Sequence, residues 1–309
     1  MKIEEVRRIL SIGAGTMGHQ IGFLCAMNGY EVVVYDVAPG ILDTARQRVD
    51  RLADRFIDHG RLSAGEKAAI LGRITFTGDA EAAAADVDIV TESVPEDPKI
   101  KGKVLADFNR LCPARTVFTT NTSTLVPSMF AEATGRPDRF LAFHFHDILH
   151  TDVVDVMPHP GTSAESVALV RAFAERLHQT VIMLDRENFG YVFNAMLSDL
   201  FKSALTLASN QVAAVEDIDR AWMGVLKTPM GPFGMMDSVG LDTVWKISDY
   251  WAKATSDAQL AANAAFLKTR IDDGRLGVKS GAGFYTYPKP LFHRPDFLKQ
   301  NSRKQTTEN

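Results

Sequence analysis

The sequence predicts an α/β domain built on a mostly parallel sheet, followed by an all-helical domain. Three observations predict this. Short β-branched runs alternate with helical apolar patterns over the first half of the chain. A glycine cluster stands between the first such run and the first helix. From Phe189 onward the apolar residues recur at helical spacing instead, as in Phe193, Leu197, Leu200, Phe201 and Leu205. The boundary falls near residue 187, so residues 1–186 form the first domain and 187–309 the second.

The elements follow in order. Arg8–Ile12 reads as the first strand, and residues 21–28 carry a helical pattern that Gly29 stops. Glu31–Tyr35 is a second buried strand, and residues 41–56 form a charged amphipathic helix. Residues 74–76 and 87–90 are further short strands. A helix over residues 99–111 precedes a strand at 116–120, and Phe140–Phe145 is the next strand. Strands that alternate with helices imply right-handed crossovers. In the second half the punctuation comes from Lys227-Thr228-Pro229-Met230-Gly231-Pro232 and from residues 274–283. Residues 301–309 are polar and are expected to fray.

Composition narrows the function. The chain has 309 residues, 46% of them hydrophobic and 23% charged, as in a globular protein. A disordered chain, a collagen and a disulfide mini-scaffold are excluded. Lys and Arg number 34 against 38 Asp and Glu, a net charge of -4. That balance supplies no electrostatic reason to expect nucleic acid or an anionic membrane as partner. Cys25 and Cys112 lie far apart in no metal spacing and read as reduced thiols of a cytoplasmic protein. The opening residues mix acids with bases and run straight into a strand, unlike a signal peptide. No apolar run approaches the ~20 residues of a membrane helix.

Gly13-Ala14-Gly15-Thr16-Met17-Gly18 is a GxGxxG between a strand and a helix. Gly13 permits the tight turn, Gly15 lets the backbone approach a pyrophosphate, and Gly18 allows close helix–strand packing. The N-terminus of the helix that follows offers free N–H groups and the positive dipole end to phosphates, and Thr16 and Met17 count with the glycines as cofactor-binding residues. Asp36 ends the second strand, where its carboxylate can accept the ribose hydroxyls of NAD and would repel the 2′-phosphate of NADP. No Arg or Lys follows at once in Val37-Ala38-Pro39. The first domain therefore reads as a Rossmann-like NAD-binding domain.

Several motifs in order carry a resemblance. They are the glycine loop; Thr91-Glu92-Ser93-Val94-Pro95-Glu96 with Lys101; and Asn121-Thr122-Ser123-Thr124-Leu125. His144-Phe145 and Phe189-Gly190-Tyr191-Val192-Phe193-Asn194 follow. Pro229-Met230-Gly231-Pro232-Phe233 with Asp237 and Asp242, and residues 277–285, complete the set. With these the chain resembles the 3-hydroxyacyl-CoA dehydrogenase family over nearly its whole length. The resemblance implies a Rossmann-like domain, a helical domain that forms a homodimer, and reversible hydride transfer between NAD and the 3-hydroxyl carbon of an acyl-CoA. It implies His144 as acid/base, Ser123 as hydrogen-bond partner of the reacting oxygen, and Asn194 as a substrate-orienting residue. It places Glu96 and Lys101 on the nicotinamide side of NAD, with Asn121 in the same cofactor site. Histidine suits both directions because its usual pKa, about 6.5, lies near working pH. Asp155 stands where the family has the glutamate that holds the histidine. Aspartate is one methylene shorter, and the interval from His144 is one residue shorter. The two changes either compensate or break the pair.

The chain departs from the pattern in places. After His144 it reads Phe145-His146-Asp147-Ile148, where the family has an aromatic and then Asn-Pro. Ala195 replaces an arginine. Pro158-His159-Pro160 is similar to a segment of gulonate-type relatives, which act on free hydroxy acids. His144 and His146 alternate along a strand end, so both imidazoles can share one face. With Asp147 or His150 they could bind Zn²⁺; a polar loop is the expectation, and no metal ligand is assigned. Arg48, Arg51 and Arg55 share one helix face, where the family binds CoA phosphates and where solvated charge is the common alternative. The expected activity is that of a short-chain, NAD-dependent 3-hydroxyacyl-CoA dehydrogenase. The alternatives are a dehydrogenase of a free hydroxy acid, of gulonate or carnitine type, and a non-catalytic NAD-binding relative.

Overall fold

The computed structural model describes residues 1–299, so the fraying expected at 301–309 lies outside the described residues. The chain divides into two compact units, Met1–Asn194 and Ala195–Asn309. In chain order the first holds β1 (Arg8–Ile12), α1 (Thr16–Met27), β2 (Glu31–Tyr35), α2 (Pro39–Asp58), α3 (Lys67–Leu71) and β3 (Ile74–Thr77). Then come α4 (Ala80–Ala84), β4 (Ile89–Glu92), α5 (Pro98–Leu111), β5 (Val117–Thr120), β6 (Phe140–Phe145), β7 (Val153–Pro158), α6 (Ala164–Arg176) and β8 (Thr180–Met183).

The eight strands form one sheet in the order β3-β2-β1-β4-β5-β6-β7-β8. Every neighbouring pair is parallel except β6–β7, which is antiparallel. Strand order reverses between β1 and β4, and in such sheets the crevice beyond the carboxyl ends of the strands at that point receives ligands. Alternation along the strands sorts side chains to two cores. Ile9, Val32, Val34, Ile89, Leu141 and Phe143 join α1, α2 and α6 on one face. Leu10, Val33, Val90, Phe118 and Phe140 join α4 and α5 on the other. Asp97 caps α5, its carboxylate accepting from Lys99 N and Ile100 N, with Pro98 in the first helical turn.

The fold differs from the sequence expectation at several places, the short helices α3 and α4 among them. Helix α1 begins at Thr16, ahead of the apolar pattern at 21–28; its first turn packs Gly18 against the Gly13 turn and Met17 against the first core. Strand β4 runs to Glu92, two residues beyond the expected end, in register with β1 through Ile12↔Glu92. No strand or helix is expected between residues 146 and 186, yet β7, α6 and β8 occupy that stretch. β7 is also the antiparallel exception.

The second unit is helical: α7 (Phe193–Ser209, whose first two residues belong to the first unit), α8 (Val215–Leu226), α9 (Pro232–Val239), α10 (Leu241–Thr255) and α11 (Ala258–Asp272). Its core gathers Phe201, Leu205, Met223, Phe233, Met236, Leu241, Leu267 and Phe284. Two buried carboxylates brace it. Asp219 accepts from Phe233 N, Gly234 N and the Tyr285 hydroxyl, and Asp237 accepts from Phe284 N, Tyr285 N and the Tyr287 hydroxyl. Among the described residues no helix is long and apolar enough to cross a membrane. Cys25 and Cys112 are buried and unpaired.

Candidate active site

The glycine loop joins β1 to α1, and its three glycines have different surroundings. Gly13 has φ +93°, and a Cβ there would lie 2.7 Å from the Ser93 carbonyl oxygen. A Cβ on Gly18 would lie 1.7 Å from the Gly13 carbonyl oxygen, so only glycine lets the helix start against the turn. A Cβ on Gly15 would meet nothing within 4 Å. The open side of the loop is thus at Gly15, where α1 begins with Thr16 and Met17 and where a helix start has N–H groups without intrahelical acceptors. Asp36, just past β2, accepts from Ala14 N at 2.9 Å and from Ala38 N at 3.0 Å. The same carboxylate therefore braces the glycine turn and stands at its mouth. The buried Ser93 hydroxyl, next to Gly13, has no hydrogen-bond partner among the described residues. An open glycine cradle, a helix start, an acid and an orphaned hydroxyl together fit a dinucleotide.

Beyond β4 a buried charge network organises the next loop. Lys101 and Glu92 are almost fully buried, with Nζ 2.9 Å from Glu92 Oε1. Nζ also reaches the Val94 carbonyl and, at 3.2 Å, Glu96 Oε2. Burial raises the Glu92 pKa despite Lys101 and the Thr120 hydroxyl, which donates to it at 2.6 Å. Burial acts on Glu96 in the same direction, but Lys101 and the Thr122 and Thr124 hydroxyls outweigh it and hold this carboxyl below its usual range. Glu96 Oε1 accepts from Ser123 N, Thr124 N and both hydroxyls. It therefore fixes the segment 122–124. Asn194 Nδ2 donates to the Ser123 carbonyl at 3.2 Å, and Asn121 Oδ1 accepts from Phe145 N at 2.7 Å. Asn121, Ser123, Asn194, Glu96 and Lys101 thus belong to one connected network that touches the end of β6.

His144 lies on β6 directly opposite Asp155 on β7. Its Nδ1 is 3.0 Å from Asp155 Oδ2, and both side chains are nearly inaccessible. Burial lowers the His144 pKa, against the Asp155 hydrogen bond, and the neighbouring His146 pushes the same way as burial. Asp155 is held below its usual range: burial opposes ionisation, but the hydrogen bonds from His144 and His146 prevail. His146, two residues on and just past the end of β6, brings Nε2 to 3.2 Å from that same Oδ2. The Tyr191 ring lies over His144, centroids 4.9 Å apart and planes tilted by 32°. Asn188 fixes this residue by donating to the Phe189 and Tyr191 carbonyls. Tyr191 is buried, and burial pushes its phenol well above the usual range.

The loop after β6 does not bring Asp147 or His150 to the two imidazoles. Asp147 pairs with His150 at 3.1 Å on the surface. His159 is buried elsewhere, with Nε2 2.9 Å from the Pro137 carbonyl. Ile148 and Leu149 sink into the first core. Arg61 holds the loop through the Ile148 and Leu149 carbonyls and Asp152. The ligand atoms that do approach one another, within 4.8 Å, are those of His144, His146 and Asp155. Arg48, Arg51 and Arg55 are exposed on α2.

Sequence reasoning singled out the motifs that hold these residues but assigned no role to Tyr191, Asn188, Thr122 or Arg61. Tyr191 and Asn188 lie in or beside the Phe189–Asn194 motif. Arg61 had no sequence signal, since its partners are distant loop carbonyls.

Comparison with known proteins adds the relatives. Residues 8–188 match the family model for the 3-hydroxyacyl-CoA dehydrogenase NAD binding domain, and residues 190–287 match the C-terminal domain of the same family. A 3-hydroxybutyryl-CoA dehydrogenase of Mycobacterium tuberculosis is 31% identical over 286 residues, covering 92% of this chain and 99% of that protein. A solved diketoreductase, described as acting on dicarbonyl compounds, is 35% identical with a TM-score of 0.83, covering 91% of this chain and 99% of its own. The (S)-3-hydroxybutyryl-CoA dehydrogenase of Ralstonia eutropha is 28% identical with a TM-score of 0.82, covering 92% and 100%.

Proposed function

The chain belongs to the 3-hydroxyacyl-CoA dehydrogenase family, and from that premise we propose which of its residues carry the reaction and on what substrate. The protein is an NAD-dependent oxidoreductase that interconverts a 3-hydroxyacyl-CoA and a 3-oxoacyl-CoA. Bound NAD supplies the hydride acceptor. The single observation that carries the residue assignment is the His144–Asp155 hydrogen bond. With Nδ1–H donated to the carboxylate, the neutral imidazole keeps its lone pair on Nε2. Nε2 takes the substrate hydroxyl proton in oxidation and returns it to the keto oxygen in reduction. Asp155 sets the tautomer and stabilises the imidazolium that forms.

Ser123 lies on the segment that Glu96 fixes, and its hydroxyl is assigned to the reacting oxygen. Asn194, bonded to the Ser123 carbonyl, orients substrate. Gly13, Gly15, Thr16, Met17 and Gly18 receive the pyrophosphate, Asp36 the adenosine ribose, and Glu96 and Asn121 the nicotinamide side. Lys101 serves the same site through Glu96, since its ammonium is already surrounded. Arg48, Arg51 and Arg55 take the CoA phosphates. Relatives named for 3-hydroxybutyryl-CoA support a short acyl chain. Likeness to the diketoreductase supports a second substrate class, dicarbonyl compounds. The helical unit is proposed as the homodimerisation domain, and two unpaired thiols support a cytoplasmic setting.

The test is NADH oxidation with acetoacetyl-CoA, for the native protein and for His144→Ala. Turnover that falls by ~100-fold or more, the usual worth of an acid/base group, supports the assignment. No turnover with NADH still bound sends the substrate reading to dicarbonyls and free hydroxy acids.

A further inference from the structure

Two departures from the family pattern meet on one atom. His146 stands where the resemblance has an aromatic, and Asp155 stands where it has a longer glutamate. In the fold both imidazoles address Asp155 Oδ2, His144 through Nδ1 at 3.0 Å and His146 through Nε2 at 3.2 Å. We propose that His146 is a positioning residue for the proton transfer, holding the shortened carboxylate on His144 by a second hydrogen bond. This rests on the assignment of His144 as the acid/base.

The surroundings keep His146 in that place. The His144 and His146 rings meet edge to face, centroids 4.6 Å apart. Phe193 closes the far side of His146, its ring perpendicular at 5.6 Å. β7 offers Asp155 as the facing charge, the 188–193 segment offers Tyr191 and Phe193, and on β6 itself the titratable neighbour is His144. From the β4–α5 loop, Glu96 acts on His144 and favours its cation.

A buried carboxylate with one neutral donor tends to take up a proton, because burial disfavours its charge. A second donor on the same oxygen offsets that tendency, as the lowered Asp155 pKa reflects. The arrangement also has a cost for His144. The two imidazoles share one carboxylate oxygen, and charge on His146 disfavours the cation of His144. Removing His146 eliminates that repulsion, which pushes the His144 midpoint upward, and also takes from Asp155 the second hydrogen bond that holds it in place.

The experiment compares native protein with His146→Phe and His146→Gln. The His144 imidazole is titrated by NMR in the free protein, which needs no substrate. The expected midpoint rises by about one pH unit in the Phe variant. It rises by less in the Gln variant, which keeps a donor to Asp155 but cannot be charged. In hydroxyl oxidation the acidic limb of the kcat/KM profile of the Phe variant then moves up with the midpoint, and the loss relative to native approaches about tenfold only at pH values below both midpoints. The KM for NAD is unchanged, and Gln restores part of the loss. An unmoved His144 midpoint in both variants overturns the proposal. So does a loss of activity that Gln does not relieve while circular dichroism and NADH binding remain native. One equivalent of zinc in untagged native protein, absent from the variants, also overturns it by making these atoms metal ligands. A shifted midpoint without any acyl-CoA turnover leaves His146 as proposed and removes the substrate reading instead.

Discussion

His144 and Asp155 are directly opposed residues of an antiparallel strand pair, and the imidazole and carboxylate meet across it at 3.0 Å. Opposed side chains start from Cβ atoms about 5 Å apart, a gap that an imidazole Nδ1 and an aspartate span without a further methylene. The shorter residue and the shorter interval from His144 therefore compensate. Asp155→Asn should lower kcat by ~100-fold or more in both directions. The asparagine amide can donate to Nδ1 and so selects the tautomer that leaves no lone pair on Nε2. Asp155→Glu should keep more activity than Asn and less than native, because the added methylene must fold into a buried site. Steady-state kcat for the three proteins decides; a glutamate variant equal to native would mean that register does not set the side-chain length.

The two directions should respond oppositely to pH. Burial depresses the His144 pKa below 6.5, so the neutral base predominates at pH 7. With His144 as the proposed base, hydroxyl oxidation should hold its rate down to about pH 6.5, falling only as pH drops through the depressed value. With its conjugate acid as the proposed proton donor, ketone reduction should gain as pH falls over the same range. Profiles of kcat/KM in both directions check the sign. An oxidation limb centred above 6.5 would mean that Asp155 outweighs burial.

The local geometry of the candidate site was legible in the glycine loop and less so around His144, where the resemblance named Asp155 but spacing did not show that the two would meet. The glycine loop and Asp36 lie within one local β–α–β stretch, where spacing alone dictates geometry. His144 and Asp155 meet only because β6 and β7 pair antiparallel, and β7 went unread because its Val-Val-Asp-Val-Met-Pro run lies next to a loop of unfamiliar pattern. The same blindness directed the cation idea to Asp147 and His150, near in sequence, when the third group beside the two imidazoles is Asp155 across the sheet. The helical second unit was legible from apolar periodicity, whereas the bracing roles of its buried Asp219 and Asp237 were not, since their partners are backbone N–H groups and tyrosine hydroxyls distant in sequence.

Cofactor choice should follow Asp36. Its carboxylate braces Ala14 N, and as the proposed partner of the adenosine ribose it would repel a 2′-phosphate. NADH should bind at least tenfold more tightly than NADPH, a difference of about 1.4 kcal/mol. Asp36→Ala should weaken NADH binding and narrow that ratio. Fluorescence titration with both nucleotides measures it, and tighter NADPH binding by the native protein would sink the assignment.

Lys101 should matter more for stability than its charge alone indicates. Lys101→Met leaves Glu92 buried beside an apolar side chain and releases Glu96 from one of its anchors. Breaking a buried pair in this way typically costs about 3–5 kcal/mol. The double variant Lys101→Met with Glu92→Gln should recover part of that, because no bare charge then remains. Denaturant unfolding of the three proteins tests this, and a single variant within about 1 kcal/mol of native would show that the pair is dispensable.

The helical unit should carry its own pH signature. Burial, with the Asp237 charge adding to it, raises the Asp219 pKa to about 6. A carboxyl with a raised folded-state pKa binds its proton more tightly when folded. Its contribution to stability is complete below the unfolded value near 4 and is lost as pH climbs toward 6, by roughly 2–3 kcal/mol. Glu96 and Asp155, held below their usual range, act in the opposite sense at lower pH. Asp219→Asn isolates the first effect. It removes one of the acceptors for Phe233 N, Gly234 N and the Tyr285 hydroxyl, so stability drops at every pH. The difference from native should nevertheless shrink as pH rises from 4 to 6, since only the native protein loses ground there. Thermal unfolding of both proteins across that window tests it, and parallel curves would place the Asp219 pKa near its ordinary value.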